Sequence, residues 1–496
     1  MNSERGAEKL ARKEFANASN KDNLDRLFYP RGIAVIGASD NYAKGSSMFL
    51  HSLIQLGYAG GLYPVNKSAD EMIMGLRAYK KVTDISGPVD YAIIGVPAQI
   101  TAEVVSDCIE KSVLYAHFFT AGFRELQTEE GMRLERELTE VARGRIRLIG
   151  PNCMGVYCPE SRVGFDASHS TEAGDVAFIS QSGGHAINFI RCATERGLRL
   201  SKGISYGNAS DLSSCDFLKY FAVDEKTAMV GIYIEGAKEG RLFFETLKES
   251  TKRKPVIIWK GGRTAAGTHA AVGHTGALAG SFEIWRAMIG QAGAILVDDS
   301  EEMIDLMLGL EYLSLPKGLN TALITTGGGN SVVAADQCNE LGLLLPALTE
   351  QTQRELLSVL REAGTIRRNP IDTSAHGIAP QNVTKIIEIV DRDPNIDCML
   401  FTYQLYFLFR NLKRIGVRLE DAFEYLVQAL GHAKTAAKKP FAFALACDSD
   451  ELDAEEFRLT LKRRLLEVGV PAFDSVRGAG LTLVRMNQIR KRREQA

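Results

Sequence analysis

The chain has 496 residues, a formal net charge of −2, 46 glycines against 14 prolines, and eight cysteines. That length exceeds a single hydrophobic core and suits three domains of ordinary size, and the near-neutral charge removes any bulk electrostatic case for nucleic acid or an anionic membrane. The cysteines are scattered, with no C-x-x-C pair, which reads as reduced thiols and disfavours a disulfide or zinc framework, so no metal site is expected.

Residues 1–23 are polar and charged and lack the apolar centre of a signal peptide. No run reaches membrane-spanning length, and the apolar stretch Met399–Phe409 is interrupted by Thr402 and Gln404. A cytoplasmic protein is expected. The first block, residues 24–158, opens with a predicted strand at Gly32–Ile36. Further predicted strands follow at 61–65, 91–96 and 115–119. A looser stretch, 159–174, opens the second block, 159–315, which has predicted strands at 176–179, 229–234 and 255–259. The third block, 316–496, starts after Pro316-Lys317-Gly318 with a strand at 321–326 and ends in a basic tail. Short β-branched runs alternate with glycine turns and amphipathic segments, which predicts an α/β fold with parallel sheets.

Three glycine clusters each follow a predicted strand and precede a predicted helix. The first runs from Gly37 through Ser39 and Lys44 to Ser46. In that position it offers backbone N–H groups and a helix N-terminus to a phosphate, or serves only as a turn. The next predicted strand ends Val65-Asn66-Lys67, where a site for NAD would place an acid. Lys67 suits a nucleotide with an additional phosphate, or is a solvated turn lysine. The second and third clusters are Ser180-Gln181-Ser182-Gly183-Gly184 and Gly327-Gly328-Gly329-Asn330. Both have the form of anion sites, since a helix start carries roughly half a positive charge. Between them lies His274, flanked by Gly273, Thr275 and Gly276. Its small neighbours disfavour burial as a core histidine, and a reactive imidazole needs a group to fix its tautomer. Glu235, at the end of a predicted strand, is the best candidate, against the alternative of a surface acid.

Together these motifs resemble the NDP-forming acyl-CoA synthetases, the family that includes succinyl-CoA synthetase, from about Leu24 to Leu483. Block one is similar to the CoA-binding domain through Gly37-Ala38-Ser39, Tyr63-Pro64-Val65-Asn66, Val96-Pro97-Ala98 and Gly150-Pro151-Asn152-Cys153. Block two resembles the ligase domain through the Ser180–Gly184 cluster, Tyr233-Ile234-Glu235-Gly236 and the His274 loop. Block three resembles the flavodoxin-like domain that follows, through Gly327–Gly329 and Asn369-Pro370-Ile371-Asp372.

The resemblance implies a Rossmann-like CoA-binding domain followed by two flavodoxin-like domains. It also implies a reaction in which an acyl phosphate exchanges its phosphoryl group with His274, which passes it to a nucleotide. Coenzyme A would lie on block one, with Ser39, Lys44, Ser46 and Lys67 near its phosphates and Val96-Pro97 along its pantetheine arm. No segment resembles an ATP-grasp domain. The resemblance therefore implies an α subunit, with ATP or ADP and Mg2+ on a separate ATP-grasp β subunit, in an α2β2 assembly acting on a carboxylic acid. A non-catalytic CoA or acyl-CoA sensor on the same scaffold is the alternative. Two departures stand out: Asn330, where a small residue or proline is more usual, and the aromatic segment 399–409. The latter reads as a buried strand running into a helix, or as a partner interface or acyl lid.

Overall fold

The computed structural model describes residues 24–42, 45–68, 71–269, 280–360, 364–374, 380–416, 418–446 and 449–495. Lys44 and His274 lie outside them. The described chain forms two compact units, residues 1–300 and 301–496.

The first unit holds two sheets. The first comprises β1 (Gly32–Ile36), β2 (Gly61–Val65), β5 (Tyr91–Ile94), β6 (Tyr115–Phe118) and β7 (Arg147–Ile149), all parallel, in the order β2-β1-β5-β6-β7. A small antiparallel hairpin, β3 (Met72–Ile73) and β4 (Leu76–Arg77), interrupts the connection from β2 to β5. The second sheet contains β8 (Gly155–Tyr157), β9 (Val176–Ser180), β10 (Leu200–Ser205), β11 (Met229–Ile234), β12 (Val256–Lys260) and β13 (Ile295–Val297). Its order is β13-β12-β11-β9-β10-β8, with β8 antiparallel at the edge. Residues 155–157, continuous in sequence with the first block, thus pair with the second sheet.

The second unit has one parallel sheet: β14 (Thr321–Thr325), β15 (Ile371–Asp372), β16 (Cys398–Gln404), β17 (Phe441–Ala446) and β18 (Ala472–Phe473). Its order is β15-β14-β16-β17-β18. The helix Ser300–Tyr312, placed by its sequence position at the end of block two, packs in this unit against Val476–Gln495. An added Cβ at Gly309 would meet Thr482, and Arg485 Nε donates to Glu302 Oε1 at 2.9 Å.

Counted within each sheet, and setting the β3–β4 hairpin and β8 aside, all three follow the doubly wound order 2-1-3-4-5. The chain therefore leaves the first and third strands in opposite directions and opens a crevice at their carboxyl ends. Strands β1, β5, β9, β11 and β14 are buried along their whole length. That matches their unbroken apolar runs, because helices cover both faces of a parallel sheet. The helices carry matching stripes. In Gly183–Glu195 the buried residues are Ala186, Phe189, Ile190 and Ala193, at helical spacing. Glu129–Ala142 buries Leu134, Leu138 and Ala142, and Thr128 caps it by accepting from Gly131 N. The aromatic stretch divides as strand β16, with Phe401 and Tyr403 buried, and a helix from Leu405 whose Tyr406 donates to Glu451 Oε1 at 2.8 Å. Among the described residues no helix is long and apolar enough to cross a membrane.

Two histidines are sealed into the first unit. His117 lies between the Tyr91 hydroxyl at 2.9 Å and the Cys153 carbonyl at 3.0 Å. His169 sits edge-on to Tyr157 and Phe165, with ring centroids at 5.0 and 4.9 Å, and neither ring nitrogen has a hydrogen-bond partner. Burial pushes both imidazoles down to about 4. The unfolded chain binds these protons near pH 6.5 and the folded chain resists them. Their stabilisation is intact above pH 6.5 and is lost as pH falls towards 4. For His169 this loss is about 3 kcal/mol. His169→Phe, which keeps the aromatic packing, is expected to flatten the fall in urea midpoint between pH 6.5 and 4. An unchanged slope would refute this assignment.

Candidate functional site

Each switch point carries one of the glycine clusters. In the first sheet the turn after β1 is held by Gly37 N donating to Val65 O at 2.8 Å and by Asn66 Nδ2 donating to Ala38 O at 2.8 Å. Ser39 N donates to Ser47 Oγ at 3.0 Å, which ties the loop to the helix Gly45–Leu56. That helix crosses β5 so closely that an added Cβ at Gly95 would lie 2.5 Å from Ser46 Cβ. Ser46 is therefore buried packing, where sequence reading placed a phosphate ligand.

A cleft of ≈ 580 Å³ opens here, lined among others by Gly37, Val65, Asn66, Lys67, Val96, Lys80 and Lys81. Ser39 and Pro97 lie outside the lining. Lys67 is exposed and its ammonium meets Glu103 Oε1 at 2.9 Å, so part of its charge is already compensated. Lys80 and Lys81 went unnoticed in the sequence. Lys81 Nζ stands 3.7 Å from Asp107 Oδ2, while Lys80 makes no ion pair among the described residues. Their signal was a Lys-Lys pair directly after the β3–β4 hairpin, a fold feature that strand and helix periodicity does not mark.

In the second sheet one side chain bridges the ends of β9 and β11. Gln181 Oε1 accepts from Glu235 N at 2.7 Å and Gly236 N at 3.2 Å. Glu235 is buried, not the surface acid that was the alternative. Its Oε1 accepts from the Tyr233 hydroxyl at 3.0 Å, and its carbonyl accepts from Lys260 Nζ at 2.8 Å. Burial pushes the Lys260 ammonium down to about 8, opposed by the Glu235 charge. Tyr233 also packs against Trp259 and His185, the three ring centroids lying 4.3–4.6 Å apart.

Ser182 caps the helix Gly183–Glu195 by accepting from His185 N at 3.4 Å. The N–H groups of Gly183 and Gly184 open that helix beside a cleft of ≈ 530 Å³. Ser180 does not line it: its hydroxyl is closed onto the backbone of Ser182 at 2.6 Å. Gln181, Ser182, Gly183 and Gly184 do, facing Phe119, Asn152, Cys153 and Met154 from the first sheet, together with Gly207 and Asn208. The two clefts are neighbours, because Thr120, next to Phe119, donates to Val96 O at 2.7 Å.

At the third switch point the anion position is partly filled by the protein itself. Asp372 Oδ1 accepts from Gly327 N and from Ser374 N, each at 2.8 Å. A carboxylate at the start of the helix Gly328–Glu340 stabilises it as a bound anion would. Gly327 is thereby spent, and Gly328, Gly329 and Asn330 remain as the exposed or half-exposed opening.

Residues 31–159 match the family described as CoA binding domain, and residues 173–310 match succinyl-CoA ligase like flavodoxin domain. Acetate–CoA ligase (ADP-forming) II subunit alpha of Pyrococcus furiosus is 39% identical over 381 residues, covering 76% of this chain and 81% of that one. The chain belongs to the ADP-forming acyl-CoA synthetase family. Acetate–CoA ligase (ADP-forming) I of Archaeoglobus fulgidus is 38% identical over 379 residues, covering 76% of this chain and 54% of that protein, so the match spans about half that relative's length. Dinucleotide forming acetyl-coenzyme A synthetase 1 of Ca. Korarchaeum cryptofilum, solved with phosphate and ADP, superposes with a TM-score of 0.81 at 29% identity. That superposition covers 95% of this chain and 98% of the other.

Within this acyl-CoA synthetase the Gln181 bridge is buried and has two backbone donors to satisfy. Gln181→Ala leaves the N–H groups of Glu235 and Gly236 without their acceptor, at a cost of about 1–3 kcal/mol. A lowered Tm is expected. An unchanged Tm would mean that these N–H groups find another acceptor.

Proposed function

We propose that this chain is the α-type subunit of a synthetase that reversibly converts a small carboxylic acid, CoA and ATP to acyl-CoA, ADP and phosphate. The observation that carries the reading is the adjacency of the two clefts. One is lined by lysines and apolar side chains; the other is formed at a helix N-terminus beside a buried, hydrogen-bonded acid. Coenzyme A lies along the first, with its phosphates near Lys80, Lys81, Lys44 and the Gly37–Ser39 turn, and its pantetheine arm against Val65 and Val96. Its thiol end enters the second.

There the acyl phosphate is held by the N–H groups of Gly183 and Gly184 and the Ser182 hydroxyl, where the helix start offsets its charge. His274 takes the phosphoryl group by in-line transfer, which separates one difficult reaction into two easier ones. Glu235, fixed by Tyr233 and by Gln181, orients the imidazole. Gly328, Gly329 and Asn330 open a second helix suited to a phosphoryl group.

Phosphohistidine then passes its group to ADP, held with Mg2+ on a separate ATP-grasp β subunit in an α2β2 assembly. Support for a second subunit comes from two Pyrococcus furiosus relatives named as alpha subunits, of which this chain matches 81% and 71%. Support for phosphate and ADP as participants comes from the ligands named with the solved relative.

The test is transfer of label from γ-labelled ATP in the presence of the partner subunit. Acid-labile, base-stable label is expected on the wild type and none on His274→Ala. Glu235→Gln is expected to slow labelling by about 100-fold, the scale of a misoriented reacting group. Label on neither protein, with a partner that binds ATP, would overturn the reading. In CoA titrations Lys80→Ala is expected to weaken binding by about tenfold, as for one lost charged hydrogen bond, and Lys67→Ala by less, because Glu103 already shares its charge. The reverse order would remove Lys80 from the site.

A further inference from the structure

One side chain in the second cleft is held in a way that its own packing does not explain. Asn208 follows Gly207, whose backbone passes so close to the end of the first sheet that an added Cβ would lie 2.2 Å from Pro151 O. Asn208 N donates to that same carbonyl at 3.0 Å. The side chain is 4% exposed. Its Nδ2 donates to Glu125 Oε2 at 2.6 Å and to Glu135 Oε2 at 3.2 Å. Both acids are themselves buried and fixed. Glu125 Oε1 accepts from Gly122 N and Phe123 N, and Glu135 stands 3.7 Å from Arg124.

Two carboxylates accept and do not donate, so they settle which end of the amide is nitrogen. The carboxamide oxygen is turned away from them, and it has no hydrogen-bond partner. A buried acceptor left unpaired is unfavourable. The polar groups that line the same cleft as Asn208 are mostly donors: the Ser182 hydroxyl and the opening N–H groups of the helix Gly183–Glu195. Cys153 directs its own thiol to Phe118 O at 3.8 Å. The cleft thus asks for a ligand rich in acceptor oxygens that also brings one donor. An acyl phosphate provides the acceptors, and a thiol provides the donor.

We infer that Asn208 Oδ1 accepts the S–H of coenzyme A and so aims the sulfur at the acyl carbon of the acyl phosphate. The inference rests on the synthetase reading. In the step it serves, the C–S bond forms as the C–O bond to phosphate breaks. The thiol proton leaves with the departing phosphate, giving acyl-CoA and hydrogen phosphate. Asn208 orients the thiol and takes no proton. Glu125 and Glu135 act through it, as positioning residues.

The experiment compares CoA with desulfo-CoA, in which hydrogen replaces the thiol, by calorimetry on the full chain. Wild type is expected to prefer CoA by about threefold, the value of a weak hydrogen bond, and Asn208→Ala to bind both equally. In the complete enzyme Asn208→Ala is expected to lower acyl-CoA formation from acyl phosphate by about tenfold or more while labelling of His274 by ATP stays at the wild-type rate. Equal affinity of wild type for CoA and desulfo-CoA overturns the inference and leaves the synthetase reading standing. That comparison needs no variant, so it holds even where Asn208→Ala fails to fold. Loss of His274 labelling in a folded Asn208→Ala also overturns it, since a role confined to the thiol cannot cause it. A wild-type chain that binds neither compound overturns the synthetase reading and this inference together.

Discussion

The first unit depends on the segment from Tyr206 to Leu212. It leaves strand β10 of the second sheet and runs along the end of the first. Asn208 N, Ser210 N and Leu212 N donate to Pro151 O, Gly150 O and Leu148 O at 3.0, 2.9 and 3.1 Å. Asp211 completes the seam, accepting from Leu148 N at 2.8 Å and from the Arg147 guanidinium at 2.9 Å. Gly207 sits at the closest point, with φ +50, where any side chain would strike the Pro151 carbonyl. Backbone bonds of this kind fix position more tightly than side-chain packing does, because neither partner has a rotamer to change. They place the mouth of one sheet against the mouth of the next, and the cleft between Asn152 and Gly183 lies beside that contact, with Gly207 and Asn208 in its wall.

The three sheets obey one winding rule, and each switch point solves the same electrostatic problem differently. A helix start leaves N–H groups unpaired and carries partial positive charge. In the first sheet the loop closes on itself through Ser39, Ser47 and Asn66, and Lys67, Lys80 and Lys81 line the cleft beside it. In the second, Ser182 takes a single N–H and Gln181 is spent on the adjacent strand, so the opening glycines are left for a ligand. In the third, Asp372 already supplies a carboxylate. On the synthetase reading proposed above, the second crevice is the one that would receive a phosphoryl group, with the buried Glu235 at its edge.

Much of this was legible in the chain alone. Apolar runs such as Gly32–Ile36 and Val176–Ser180 determine parallel strands buried on both faces, since only that setting tolerates no polar alternation. The glycine clusters after them mark the strand-to-helix turns. Their order, with the His274 loop between the second and third, determined the family. Local backbone requirements write themselves into sequence in this way because they concern residues adjacent in the chain.

What the tertiary structure decided concerns residues that are far apart. It buried Ser46 beneath Gly95 and turned Ser180 onto its own loop, so two hydroxyls that read as ligands became packing and turn closure. It paired Lys67 with Glu103, 36 residues away, and brought Lys80 and Lys81 to the same cleft. It set Asp372 on a helix start 45 residues earlier in the chain. It joined Asn208 to Glu125 and Glu135, more than seventy residues upstream. No periodicity encodes these meetings, because each depends on how strands and loops distant in sequence converge at the carboxyl edge of a sheet. The sequence determined which chemistry the chain carries, and the folded structure decided which side chains are free to perform it.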